Sequence, residues 1–364
     1  MDFSNFISPG EAIKYMLDKR SWTQEDFAQI ISISPKHANE LIKNKKPLSL
    51  ELIIDISDAF SFNEEARQGF IKLYTNYRVK TIDASNDNLV KSKAELFGKY
   101  PISEMIKKGW MEKTNDYNSL IEQCKKVLNI DSIQAIDSLN YNLYFRKSDN
   151  GNFEDTNAKI WRKVAETKAQ KVTVPEYNKQ ALELLLSKVN EYTVRNKGVS
   201  EFLNDLQLTG VKFIHLSHLS KTYMDGAAFK SGNTPIIALT GRYDRLDNFW
   251  FTISHEIAHV LKHLINENDF FADDSFNSDE KDEKEKEANE MASSALKSKE
   301  ILQWFRNFYG YLPKEEVLNC SRTLKIHPSS IVGILAFNKK TSFATIHRFK
   351  ASIEDKIPDK YKMG

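Results

Sequence analysis

The stretch FWFTISHEIAHVLKHL, residues 249–264, decides how the C-terminal half of this chain is read. It places His255, His259 and His263 four residues apart, with Glu256 beside the first. Phe249, Phe251, Ile253, Ile257, Val260 and Leu261 fill the gaps, which predicts a mostly buried helix from about Asp247 to His263. At 3.6 residues per turn, His255 and His259 stack on one face, so both imidazoles reach one tetrahedral metal ion. Glu256 then points beside that ion, where a water would lose its proton. Two histidines and a glutamate buried there without a partner would be costly.

A catalytic ion of this kind takes three protein ligands and a water. His263 is a poor third, because eight residues of continuous helix advance the chain by ~12 Å while the bonds are only ~2 Å long. It reads instead as a partly exposed histidine at the helix end. EKEANEMASSAL, 285–296, is the better source. Ala288, Met291, Ala292 and Ala295 form a small-residue face that lets this second helix approach closely. Glu285 and Asn289 stand four apart on one side, so Glu285 can bind metal while Asn289 hydrogen-bonds behind a ligand. Glu287 stays open as the alternative ligand. One zinc ion is the expected cofactor.

Upstream of the motif, strand signals cluster at VKFIHL (211–216), DGAAF (225–229) and PIIALT (235–240), the last a candidate edge for an extended peptide. Downstream, residues 266–286 are acidic and mixed in charge and read as a solvated loop, with a helical pattern resuming near Asp282. FTISHEIAHVLKH followed by EKEAN resembles the ImmA/IrrE-type metallopeptidases, over about residues 200–345 and including IHPSSIVGIL at 326–335. The resemblance implies zinc bound by His255, His259 and Glu285, Glu256 as general base, and cleavage of a peptide bond. The family often continues ANxFAxxLLMP, whereas ANEMASSALKSK here lacks the Phe and the closing Met-Pro, a departure that bears on the substrate groove. His218, Tyr223, Arg242, Tyr243 and His327 are candidates to steady an oxyanion.

The N-terminus carries a different signal. Residues 9–79 are a series of short helical patterns. Pro9 opens the first, to about Arg20. Thr23 caps the second with Asp26 three residues on, Ser34-Pro35 starts the third, and Ser49 and Asn63 cap two more. TQEDFAQIISISPKHANELIKNKKPLSLELIIDISDAF, 23–60, resembles the HigA-type antitoxin branch of helix-turn-helix repressors. That implies a second helix in the major groove, with Lys36, His37 and Asn39 reaching base edges and Lys43, Lys45 and Lys46 on phosphates. Ser32 and Lys45 stand where the family favours glycine, both positions expected at positive φ.

The remaining sequence bounds rather than decides. A length of 364 residues suggests two or three folded units. The net charge of +2 leaves nucleic-acid binding to the local basic cluster at 36–46. Two isolated cysteines, no basic-then-apolar N-terminal segment and no run of eighteen apolar residues point to a cytoplasmic chain outside the membrane. The expected architecture is mainly α with a small β-sheet: a five-helix helix-turn-helix domain at 1–79, a linker at 80–93 and a helical middle region at 94–197 without a chemical motif. A zincin-like metallopeptidase domain at 198–345 and a tail at 346–364 complete it. The segment 147–157 reads as a turn or mobile loop. The functional expectation is a DNA-binding regulator with a zinc endopeptidase domain that cleaves a protein partner or itself. The alternative is a HigA-like antitoxin repressor whose peptidase fold serves partner binding with little or no catalysis. Operator DNA, a protein substrate or cognate toxin, and a second copy in a homodimer are the expected partners.

Overall fold

Polar caps punctuate the N-terminal helices where their backbone N–H groups lack partners. The computed structural model describes residues 2–83, 89–139, 141–145, 154–273, 283–308, 310–342, 345 and 348–363. It divides into two compact units, Met1–Ser92 and Lys93–Gly364. In the first, α1 (Pro9–Arg20) starts on Ser8, and α2 (Gln24–Ile30) on the Thr23–Asp26 capping box. The helix α3 (Pro35–Ile42) starts on Ser34, and α4 (Leu50–Ala59) on Ser49. The Asn63 side chain caps α5 (Glu64–Asp83), accepting from the Ala66 amide at 2.9 Å. Each such cap contributes about 1 kcal/mol. Phe27, Phe60 and Phe70 form the aromatic centre of the core, with Ala28 and Ala38 where α2 and α3 approach. Ser32 adopts φ 55°, as expected, but Lys45 does not take a positive φ; Asn44 does, at 55°. Asn44 tolerates that conformation because its short amide is held in place, accepting from the Gly10 amide at 2.9 Å and donating to Ser8 Oγ at 3.0 Å.

The helix α6 (Leu89–Lys99) spans the division between the units, and α7 (Ile102–Lys107) and α8 (Tyr117–Leu128) follow. Of the expected linker, residues 84–88 lie outside the described residues, as do 147–153 of the expected turn. Next come β1 (Asn142–Phe145), α9 (Asp155–Ala169), α10 (Lys179–Ser187), α11 (Val189–Thr193) and α12 (Gly198–Leu208). The strands β2 (Lys212–His215), β3 (Gly226–Ser231) and β4 (Thr234–Leu239) lead into α13 (Leu246–Lys262). Then β5 (Asp269–Asp273) precedes α14 (Glu283–Ala295), α15 (Ser298–Trp304), α16 (Lys314–Leu324) and α17 (Pro328–Phe337).

The sheet runs β1-β5-β3-β4-β2, antiparallel at its centre and parallel at both flanks. Alternate residues face opposite layers. Phe213, Ala228, Ile237 and Phe271 pack with Ile253 and Ile257 of α13, while Ile214, Ala227, Phe229 and Phe270 pack with Trp161, Val164 and the α8 residues Leu120 and Cys124. Within segment 94–197, α6 to α9 therefore cover the second face of the sheet and β1 supplies one of its strands, while α10 and α11 pack on the α13 side. The tail is also built in, since Ile353, Ile357 and Tyr361 bury against the α13 layer and Lys362 bridges to His215 on β2.

Two further expectations change. Residues 266–286 are not simply a solvated loop: β5 lies between β1 and β3 with Phe270 and Phe271 fully buried, while 274–282, Asp282 included, lie outside the described residues. PIIALT is not an edge, because β4 is hydrogen-bonded on both sides, to β3 and to β2, and has no free backbone row for a peptide. No helix among the described residues is long and apolar enough to cross a membrane.

Candidate metal centre and nucleic-acid face

The helix α13 lies under the sheet with fourteen buried residues, among them His255, Glu256 and His259, each with no exposed surface. Ala288 and Ala292 of α14, both fully buried, let the two helices close on each other. That contact brings Glu285 between the imidazoles. Its Oε2 is 3.3 Å from His255 Nε2 and its Oε1 is 3.3 Å from His259 Nε2, and the two Nε2 atoms are 2.8 Å apart. These three side chains are a group that could hold a metal ion, their ligand atoms all within 4.8 Å of one another.

The donor set fits a small dication. His255 Nδ1 lies 3.0 Å from Asn289 Oδ1, an acceptor, so its proton sits on Nδ1 and Nε2 offers a lone pair. Two bare nitrogens and a carboxylate thus converge out of water. Bonds of ~2.0–2.1 Å in tetrahedral geometry set donors ~3.3 Å apart. Two of the three separations match that value, and the third, at 2.8 Å, is about half an ångström short of it.

Burial, reinforced by the neighbouring His255, pushes His259 down to about 4, so it is neutral at pH 7. Burial alone would raise Glu285, but its close approach to His255 and His259 outweighs it and holds the carboxyl below its usual range. Both groups therefore stand in the protonation state that metal binding needs.

Glu256 lies against β3, its Oε1 2.8 Å from where a Cβ on Gly226 would fall. Only glycine leaves that space. Phe271 of β5 stacks on His259, ring centroids 4.5 Å apart and planes 16° apart, a contact hidden from the sequence inside a charge-rich stretch.

Two expectations are corrected. His263 is not a partly exposed end residue: it is 5% exposed, because α14 covers the end of α13, and its Nδ1 is 3.0 Å from His259 Nδ1. Glu287 does not reach the donor cluster; it is exposed, with Oε2 3.1 Å from His263 Nε2 and Oε1 3.6 Å from Lys262 Nζ. Of the oxyanion candidates, His327 caps α17, its Nδ1 accepting from the Ser329 amide at 3.1 Å. Arg242 and Tyr243 line a cleft with Asn248 and Thr252, the latter one helical turn before Glu256.

In the first unit, Lys36, Lys43, Lys45 and Lys46 are exposed, and His37 and Asn39 half-buried. Ala38 and Leu41 anchor the inner face of α3. Lys46 is paired with Glu40 at 3.2 Å, so its charge is partly engaged within the domain.

The family model described as helix-turn-helix matches residues 13–65, and that of the IrrE N-terminal-like domain, a peptidase family, matches 208–312. The chain carries a helix-turn-helix domain and an IrrE-like peptidase domain. No curated protein matches it. The IrrE-like match runs from the end of α12 past α15, enclosing β2 to β5, the α13 histidines and Glu285. The helices behind the sheet, α6 to α9, lie before it.

Proposed function

We propose that this protein is a DNA-binding regulator whose second unit is a zinc-dependent endopeptidase that cleaves a protein partner or its own chain. The complete buried set of His255, Glu256, His259 and Glu285 carries the reading. A zinc ion held by the two histidines and Glu285 supplies Lewis acidity and brings a water's pKa to about 7. Glu256 takes the proton of the attacking water at its carboxylate and passes it to the leaving amide nitrogen. Asn289 keeps His255 in the tautomer that presents Nε2, and the closed packing of α13 on β3 and α14 shields the proton on Glu256 from bulk water. Arg242 and Tyr243 line the cleft one turn away and are placed to meet a substrate backbone.

Residues 1–79 form the DNA-binding portion and 198–345 the peptidase portion, with α3 in the major groove of an operator bound by a homodimer. Lys36, His37 and Asn39 face base edges, and Lys43, Lys45 and Lys46 face phosphates. A second reading, a HigA-like antitoxin repressor that binds its toxin without cleaving, shares the DNA-binding half. Glu256→Gln separates the two. Zinc-loaded wild type is expected to cleave a cellular protein or its own chain, and the variant to bind zinc but leave the target intact. Equal inertness of both would leave the antitoxin reading standing. Lys36→Ala with Asn39→Ala should weaken operator binding, and unchanged affinity would count against the α3 interface.

A further inference from the structure

We infer that His263 and Glu287 are positioning residues for the metal ligand His259, forming a chain that fixes which of its nitrogens faces the ion. The inference rests on the zinc reading above and goes beyond its ligand set. His259 Nδ1 and His263 Nδ1 stand 3.0 Å apart, both buried. Unlike the Nε2 pair that faces the ion, these two ring nitrogens have no cation between them and need one proton there: with none the lone pairs repel, and with two the protons collide. The other end of the chain decides where that proton sits. His263 Nε2 lies 3.1 Å from Glu287 Oε2, and an ionised carboxylate only accepts, so His263 carries its proton on Nε2. Its Nδ1 is then bare and accepts from His259 Nδ1–H. His259 Nε2 is left as a lone pair aimed at Glu285 and His255.

One helix thus orients both ligand rings. On α14, Glu285 is the third ligand, Asn289 accepts from His255, and Glu287 acts on His259 through His263. Lys262 Nζ, 3.6 Å from the other oxygen of Glu287, steadies that carboxylate at the surface. Phe271 sits against both rings, 4.5 Å from His259 and 5.7 Å from His263, and limits their rotation. The third histidine of HEIAHVLKH, too far along the helix to bind the ion, works one step behind it.

The test is zinc affinity of the full chain, measured by competition with a chromogenic chelator, for wild type, His263→Leu, His263→Asn and Glu287→Ala. Leucine fills the space but accepts no proton, and its affinity should fall about 10–100-fold. The Asn Oδ1 stands near the place of the imidazole Nδ1 and accepts from His259, so this variant should stay close to wild type. Glu287→Ala frees His263 to choose its tautomer and should fall between. Melting of each variant in chelator reports whether it folds. Leucine binding as tightly as wild type, or asparagine as weakly as leucine, would overturn the chain. Failure of the wild type to take up zinc would sink the metal reading and this inference with it.

Discussion

Acid should destabilise the metal-free second unit chiefly through His259. Burial holds this imidazole at about 4, against an ordinary 6.5. Between those values the unfolded chain binds a proton that the folded one refuses, so stability rises with pH across the window. The contribution is complete above pH 6.5, falls as pH drops, and levels off below about 4. A gap of that size amounts to about 3 kcal/mol, of which about 2 kcal/mol is lost by pH 5. Glu285, held below its ordinary carboxyl range, stays ionised throughout and does not offset this. His215, His218 and His327 are also pushed down by burial, so each adds a loss of the same sign.

The His259 share is isolated by His259→Asn, which removes the titrating ring. Four of the five tryptophans lie in the second unit, so intrinsic fluorescence follows its melting. In chelator, wild type should lose about 4–8 °C more than the variant between about pH 7 and pH 5. If both lose the same amount, the imidazole is not shielded from water and the buried-donor argument fails.

Gly226→Ala should cost about 1–3 kcal/mol and shift Glu256, because the added Cβ would lie 2.7 Å from Thr252 Cγ2 and 2.8 Å from Glu256 Oε1. Denaturant melts read the cost, and an unchanged midpoint would show that β3 and α13 separate freely. Asn44→Ala should destabilise the first unit by about 2 kcal/mol, through the positive φ and the two lost hydrogen bonds, while Ser32→Gly should raise its melting point. The reverse order in far-ultraviolet melts would contradict the turn assignments. Zinc at about 100 times its dissociation constant should stabilise the wild type by about 2.7 kcal/mol, and Glu285→Ala by far less at the same concentration. Equal thermal shifts for the two proteins would remove Glu285 from the ligand set.

The sequence was legible where one residue does one local job. Thr23 with Asp26, Ser34 with Pro35, and the paired histidines on α13 announce themselves because their partners are no more than four residues away. β5 was illegible because Phe270 and Phe271 enter opposite faces of the sheet, so DFFAD shows no alternation of apolar and polar residues, and acidic neighbours flank it. The tail carries a legible signal of its own: Ile353, Ile357 and Tyr361 recur every four residues, and all three are buried. Register with the motif points to Lys45 as the left-handed residue, whereas Asn44 owns that position through bonds to residues more than thirty positions away.

The same division runs through the metal centre. HExxH supplies two rings at helical spacing, but helical spacing does not decide which nitrogen of each ring is bare. That decision comes from α14, whose Asn289 and Glu287 act at the two imidazoles, and from Phe271 stacked on His259. Both elements follow α13 across a charge-rich stretch in which no motif is visible. Because Glu285 shares that helix, docking its first two turns would complete the proposed ligand set and orient the rings in one event. Free energy of metal binding is then also free energy of packing α14 on α13. Loss of the ion should therefore loosen the first two turns of α14 ahead of the sheet, and hydrogen exchange at Glu285–Asn289 that is no faster without zinc than with it would refute this coupling.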